Sequence, residues 1–180
     1  MLAEFLLRKT QTFRVLPVFL KLIQSYPNFE ALAEADPTEV CAIIGPLGLS
    51  TRGSQLSDIA RALRSNKAII ESGQSLRKFK GVGQYIANAV DCVAFERPFP
   101  MVDGAVGRLL CRILGRREGR RAYSDKSLWS LVSNILQSSP ENSKHVSLGL
   151  LDIAAAYCRL KKPLCIDCPL ASLCKYKQQT

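Results

Sequence analysis

Residues 76–85 decide the fold of this chain, and they read Leu-Arg-Lys-Phe-Lys-Gly-Val-Gly-Gln-Tyr. A basic helix end that carries Lys78 and Lys80 runs into the turn Gly81-Val82-Gly83, and a second helix is predicted to start at Gln84. The two glycines allow the backbone to adopt positive φ and to come close to another molecule. The N–H groups at the start of the second helix then favour an anion, so the hairpin is predicted to hold a phosphate rather than to be a plain tight turn.

The rest of the chain carries helical signals on both sides of this hairpin. Residues 36–39, Asp-Pro-Thr-Glu, form a complete helix start, with an N-cap Asp, a Pro at the first helical position and a Glu three residues after the cap. Asp103 and Asp125 stand at two further N-cap positions. Apolar residues at helical spacing predict helices over residues 13–23 (with Pro17 as a kink), 54–64, 84–95, 104–114, 126–137 and 143–158. Since no long alternating strand pattern is present, the sequence predicts an all-α protein.

Charge and composition restrict the class of partner. The chain has 180 residues, 47% of them hydrophobic, which is enough to bury the core of one domain or of two packed lobes. Lys and Arg exceed Asp and Glu by 25 to 15, giving a net charge of +10, and such an excess favours a polyanion, above all nucleic acid. No apolar run reaches membrane-spanning length and no signal peptide is evident, so we expect a cytoplasmic, nucleoid-associated protein with no membrane partner.

Four of the seven cysteines are crowded near the C-terminus. Cys158, Cys165, Cys168 and Cys174 have intervals of six, two and five residues, whereas the other three cysteines are scattered in apolar surroundings. In a reducing compartment such crowding indicates a metal site rather than disulfides. Four thiolates suit either a tetrahedral zinc ion or a [4Fe–4S] cluster, and their spacing does not separate the two.

Asp103 lies in the segment Val102-Asp103-Gly104, after the second helix of the hairpin and a proline-rich connector. A helix N-cap keeps a carboxylate ionised. A fixed carboxylate stabilises an oxocarbenium-like sugar, as in glycoside hydrolysis. On local sequence alone, however, simple capping of the helix is the favoured interpretation.

Together, the hairpin, the Val-Asp-Gly segment and the cysteine spacing resemble the endonuclease III and MutY superfamily of helix-hairpin-helix base-excision DNA glycosylases, over nearly the whole chain. This resemblance implies two helical lobes with a DNA-binding cleft, residues 1–98 forming a barrel lobe with the hairpin and residues 99–180 an iron–sulfur lobe. It implies that the four cysteines hold a [4Fe–4S] cluster, that Asp103 is catalytic, and that the protein acts as a monomer on double-stranded DNA with a mismatched base.

Tyr85 lies two residues after the second hairpin glycine, at a position whose residue type differs between the enzyme classes of that superfamily. Members with lyase activity have a Lys there, which forms a Schiff base with the sugar, and adenine glycosylases have a Ser. A phenol cannot form the imine. Tyr at this position resembles the thymine glycosylases that act on G·T and G·U mismatches, and so implies a monofunctional enzyme.

Further segments, residues 4–10, 48–50 and 148–152, agree with the thymine glycosylases. Arg8 and Lys9 replace a glutamine-containing segment of MutY, in a stretch that contributes residues probing the duplex. Glu4 aligns with a glutamate that approaches the flipped base. The resemblance thus adds Glu4 and Tyr85 to Asp103 as catalytic candidates, and makes Arg8, Lys9 and the hairpin (Lys78, Lys80, Gly81, Val82, Gly83 and Gln84) the DNA-binding candidates.

Two departures keep alternatives open. Gly104 is the choice of MutY, where the thymine enzymes favour Ala, so an adenine glycosylase is an alternative. The chain starts inside the segment that resembles the first barrel helix, so we expect the preceding helix to be missing, which makes a catalytically idle DNA-binding module a second alternative. Only six residues follow Cys174, which leaves no room for the C-terminal domain of MutY. The favoured prediction is a monofunctional glycosylase that removes mispaired thymine or uracil opposite guanine.

Overall fold

The computed structural model describes residues 1–7, 10–48, 50–66, 69, 71–119 and 122–179, without the side chains of residues 50 and 51. Within these ranges the chain is helical and contains no strand, which confirms the predicted all-α class. The α-helices are α1 (Leu2–Leu6), α2 (Thr12–Ser25), α3 (Phe29–Glu34), α4 (Pro37–Ile44), α5 (Ser50–Ser65), α6 (Gln84–Ala94), α7 (Gly104–Ile113), α8 (Lys126–Ser138), α9 (Ser143–Ala156) and α10 (Lys175–Gln178). Short 3-10 helices cover Gly45–Leu47, Gly73–Lys78, Ala122–Ser124, Pro140–Asn142 and Ala171–Leu173. In the described part of the chain, no helix combines the length and the apolar character needed to cross a membrane.

The three predicted aspartate caps are present, and each fixes the first residue of a helix. The Asp36 carboxylate accepts a hydrogen bond from the Thr38 N–H at 2.8 Å. The Asp125 carboxylate accepts one from the Ser127 N–H, also at 2.8 Å. Asp103 is the third cap, and α4, α7 and α8 begin one residue after their caps, as predicted. Each cap satisfies an amide that the helix itself cannot, which is worth about 1 kcal/mol.

Two helices, α2 and α5, extend beyond a predicted end by two residues or more. The helix α2 continues through Pro17, because it packs on the core through Val15, Val18 and Leu22, all of which are buried. The helix α5 begins at Ser50, four residues before the predicted start. The extended part of α5 contains Gly53. A Cβ at this position would come within 2.7 Å of the Cys41 Cα, so the glycine permits a close approach of the α4 and α5 backbones.

The chain divides into two units, Met1–Val90 and Asp91–Thr180. In the first unit, α5 packs against both α3 and α4. Its largest fully buried side chains are Phe5, Leu6, Leu22, Ile44, Leu56 and Ile59. The hairpin and Tyr85 belong to this unit, which therefore fixes their backbone. The functional division after residue 98 stays a prediction.

The second unit is built around α7, which packs against α9 and the 3-10 helix Ala122–Ser124. Its core is formed by Val102, Val106, Leu109, Leu110, Cys111, Ala122, Leu128, Val132, Leu136, Ala154 and Cys158. Asp91 is fully buried and is paired with Arg97 at 3.1 Å, so its charge is compensated within the same unit. This unit holds Asp103 at the start of α7 and all four C-terminal cysteines.

Candidate functional site

The basic arm of the hairpin is a 3-10 helix, Gly73–Lys78, where the sequence predicted the end of a regular helix. Its N-cap Ser72 accepts a hydrogen bond from the Gln74 N–H at 3.0 Å. The 3-10 form is a tight, short turn of helix. Lys78 and Lys80 are both exposed, so their charges are available to a partner.

Gly81 has two separate structural reasons to be glycine. Its φ is +96°, in the region that side-chain-bearing residues avoid. A Cβ there would also lie 2.7 Å from Gln55 Oε1 and 2.9 Å from Phe5 Cε2. The next residue, Val82, is 6% exposed, and its N–H donates to the Phe79 carbonyl at 3.1 Å. The turn is thereby fastened to the core of the first unit.

Gly83 differs from Gly81, because of the two glycines that allow positive φ only Gly81 adopts it. It is not among the glycines with positive φ, it is exposed, and a Cβ there would meet nothing within 4 Å. Gln84, also exposed, begins α6. The N–H groups in the first turn of a helix lack acceptors within that helix. The open side of the hairpin therefore combines a residue without a side chain, helix-start amides and the nearby Lys80.

Two further candidates of the first unit lie at helix starts. Tyr85 is the second residue of α6 and is half-buried, directly before the buried Ile86. Glu4 is half-buried in α1, directly before Phe5 and Leu6, which are both fully buried. Rigid neighbours thus fix the backbone of both candidates. Arg8 and Lys9 lie outside the described residues.

Asp103 combines a fixed backbone with one carboxylate oxygen that accepts no hydrogen bond from the described residues. Met101 and Val102 directly before it are each 1% exposed, and the Asp103 carbonyl accepts from the Gly107 N–H at 2.9 Å. Its Oδ1 accepts from the Val106 N–H at 2.7 Å. Among the described residues none hydrogen-bonds to Oδ2. The half-buried side chain therefore has one oxygen that is held by the helix and a second to which none of the described residues donates.

The four C-terminal cysteines line a single cavity of the second unit. With the solvent at its mouth included, the cavity has a volume of about 330 Å³. Cys158 is 7% exposed, and the other three cysteines are half-buried. Apolar residues, among them Leu109, Pro163 and Leu170, complete the lining. Among the described residues, no three His, Cys, Asp or Glu side chains are close enough to share one metal ion.

Arg112 is a candidate that the sequence analysis missed. One nitrogen of its guanidinium lies 3.4 Å from Cys158 Sγ and 2.8 Å from the carbonyl oxygen of Arg159, to both of which it donates. The other donates to the Leu160 carbonyl at 3.3 Å. Four residues earlier, Arg108 donates from Nε to the Cys158 carbonyl at 2.8 Å. Two arginines at helical spacing on α7 were the available sequence signal, since such a pair lies on one face of a helix.

Comparisons with known proteins cover nearly all of the chain. Residues 2–134 match the HhH-GPD superfamily of base excision DNA repair proteins. The chain is 37% identical over 180 residues to a thymine-DNA glycosylase of Aeropyrum pernix, with 98% of this chain and 81% of the relative covered. It is 33% identical to a thymine/uracil-DNA glycosylase of Pyrobaculum aerophilum, with 99% and 80% covered. The solved structure of a thermostable thymine-DNA glycosylase superposes with a TM-score of 0.87 at 29% identity, covering 99% of this chain and 83% of that one.

Proposed function

Because this chain belongs to the HhH-GPD superfamily of base excision DNA repair proteins, we propose that it is a monofunctional DNA glycosylase that hydrolyses the N-glycosidic bond of thymine or uracil mispaired with guanine. The observation that carries this proposal is the 37% identity to a thymine-DNA glycosylase over 98% of the chain. Tyr85 supports the monofunctional part, because a phenol offers no amine for a Schiff base with the sugar.

The hairpin binds the DNA backbone in this proposal. A phosphate approaches over Gly83, where no side chain obstructs it, and accepts hydrogen bonds from the amides at the start of α6. Lys78 and Lys80 add positive charge without reading bases. The net charge of +10 supports such a phosphate-dominated contact.

Asp103 stabilises the sugar while the base departs. The bond between C1′ and the pyrimidine N1 breaks with its electron pair passing to N1, and positive charge develops on the sugar ring. The carboxylate, held by its Oδ1 bond to the Val106 N–H, presents Oδ2 to that charge. A water molecule then adds to C1′ and gives its proton to the same carboxylate, which returns it to solvent.

The other candidates act on the extruded nucleotide. A mispaired base costs less to unstack and unpair than a matched one, which favours extrusion at G·T and G·U pairs. Tyr85 positions the base or the sugar from the first turn of α6. Glu4 contacts the pyrimidine edge, and Arg8 and Lys9 probe the duplex.

The four cysteines hold a [4Fe–4S] cluster in this proposal, which would supply a rigid anchor for the C-terminal segment. All four cysteines line one cavity of the second unit, and apolar residues complete that lining. Together with their intervals of six, two and five residues, which resemble the endonuclease III and MutY superfamily, this shared cavity supports a cluster as the group that the four thiolates hold.

The test is base release from four end-labelled duplexes, with a G·T, a G·U, a G·A or a matched G·C pair, followed by alkali to cleave abasic sites. We expect cleavage of the thymine-containing or uracil-containing strand at G·T and G·U only, and no cleavage before alkali. Release of adenine from G·A alone would instead support the adenine glycosylase. Binding to mismatches without any release would support the idle DNA-binding module.

A further inference from the structure

Arg112 connects the cysteine cavity with the loop that follows it. The side chain is half-buried near the C-terminal end of α7. Its guanidinium donates to Cys158 Sγ and to the carbonyls of the next two residues, Arg159 and Leu160. The carbon of the guanidinium lies 5.0 Å from the centre of the Tyr176 ring, which comes from α10. One side chain thus contacts a cysteine sulfur, two loop carbonyls and the helix after the last cysteine.

The guanidinium suits this position better than any other side chain. It is planar, permanently charged and presents several N–H donors in a fixed arrangement. A hydrogen bond from a charged donor to a thiolate is stronger than one between neutral groups. Stacking on Tyr176 restricts the plane of the group, so little further ordering is required. Arg108 is a natural comparison, because it donates to the Cys158 and Ala154 carbonyls but has no bond to sulfur.

The loop held by Arg112 is basic and exposed. We call residues 159–162, Arg-Leu-Lys-Lys, the basic loop; all four are exposed. Lys162 has a φ of +50°, and the loop closes where the Leu164 N–H donates to the Tyr157 carbonyl at 2.9 Å. Among the described residues, the two Arg112 bonds to the Arg159 and Leu160 carbonyls hold this loop. They act together with the bonds that Arg159 itself donates, from its N–H to the Tyr157 carbonyl at 2.9 Å and from Nε to the Ala156 carbonyl at 3.0 Å.

We propose that Arg112 is a positioning residue that couples the Cys158 thiolate to the basic loop, and that it favours the more reduced state of the cluster. The proposal rests on the cofactor assigned under the proposed function. An added electron makes the cluster and its thiolates more negative. A charged donor at Cys158 Sγ then stabilises the reduced state more than the oxidised one, which raises the reduction potential.

The experiment compares the wild type with Arg112→Gln, Arg112→Lys and Arg108→Lys, all purified without oxygen. The readouts are iron and zinc content, the potential of the cluster by voltammetry, the rate of iron loss to a chelator, and affinity for a matched duplex. We expect about four irons in the wild type. Arg112→Gln should show a more negative potential, iron loss faster by about 10-fold or more, and weaker duplex binding.

The two lysine variants make the result specific to the sulfur contact. Arg112→Lys keeps the charge and the stem but not the planar set of donors, and should shift the potential in the same direction by less. Arg108→Lys should leave the potential at the wild-type value. Arg112→Lys also serves as the test variant if Arg112→Gln does not fold.

Two further outcomes separate the role of Arg112 from the proposed function of the protein. If the wild type binds iron but both Arg112 variants have its potential and its rate of iron loss, the inference about Arg112 is wrong and the proposed function is unaffected. The same conclusion follows if Arg108→Lys and Arg112→Lys shift the potential equally. One zinc and no iron in the wild type would overturn the cofactor and the inference together. The glycosylase reaction would be judged separately by base release.

Discussion

Replacing Asp103 by Asn separates the structural role of this residue from its chemical role. The amide oxygen of Asn can accept the bond from the Val106 N–H that Oδ1 accepts at 2.7 Å in the wild type. Asp and Asn are about equally good N-caps, so the start of α7 should be retained. What is lost is the negative charge at the helix start and at Oδ2.

The two losses differ in size. The interaction of a carboxylate with a helix N-terminus is worth about 0.3–1 kcal/mol. In a chain of this size, 1 kcal/mol corresponds to about 2–4 °C in Tm, so Asp103→Asn should lower Tm by no more than that. Removing one preorganised group that stabilises transition-state charge costs about 10²–10³ in rate. Base release should therefore fall by at least that factor, while mismatch binding survives.

The assay is single-turnover base release from a G·T or G·U duplex, with binding measured by gel shift and stability by thermal melting. Asp125→Asn is the matched control, because Asp125 caps α8 through a comparable 2.8 Å bond to the Ser127 N–H. Asp125→Asn should show a similarly small change in Tm and should release the base at the wild-type rate. Base release by Asp103→Asn within a few-fold of the wild type would refute the assignment of Asp103.

Three other predictions follow from the geometry of the chain. Wild-type protein should give little covalent complex with borohydride, whereas Tyr85→Lys should gain trapping and strand nicking; efficient wild-type trapping would contradict the monofunctional assignment. Gly83→Val should weaken binding to matched and mismatched duplexes alike, with little change in Tm because a Cβ there meets nothing within 4 Å. Gly81→Ala should lower Tm, because the φ of +96° at this position disfavours a side chain. Equal losses of Tm in the two variants would contradict this. Thr38 hydrogen bonds lower the pKa of Asp36, so stability should fall as the pH drops below 3.8, its ordinary value, and thermal melting should show a weaker acid dependence for Asp36→Asn.

The helical architecture could be predicted because its signals are local. Caps such as Asp36 and Asp125 act within three residues, and the periodicity of apolar residues marks the buried face of each helix. The start of α5 could not be predicted in the same way. Gly53 is a helix breaker by propensity, and only its approach to the Cys41 backbone explains why it lies inside a helix.

The candidate site was predictable where a motif carries the information, and not where distant residues meet. The spacing of the cysteines indicates a metal site. That all four line one cavity depends on the tertiary structure and could not be predicted from the spacing. Arg112 is 46 residues from Cys158 in the chain. The spacing of Arg108 and Arg112 places both on one face of a helix, but it does not indicate which residues that face contacts. The difference between Gly81 and Gly83 was also hidden, because a Gly-X-Gly sequence does not say which glycine takes the positive φ.

The open space beside Gly104 bears on how related sequences are sorted. A Cβ at this position would meet nothing within 4 Å, and the backbone has no positive φ there. The protein would therefore accommodate an alanine at position 104 without moving any neighbour. Exchanging Gly for Ala changes the conformational freedom of the unfolded chain and leaves the packing around Asp103 as it is. Packing within the chain therefore does not decide between Gly and Ala at this position of the Val-Asp-Gly segment.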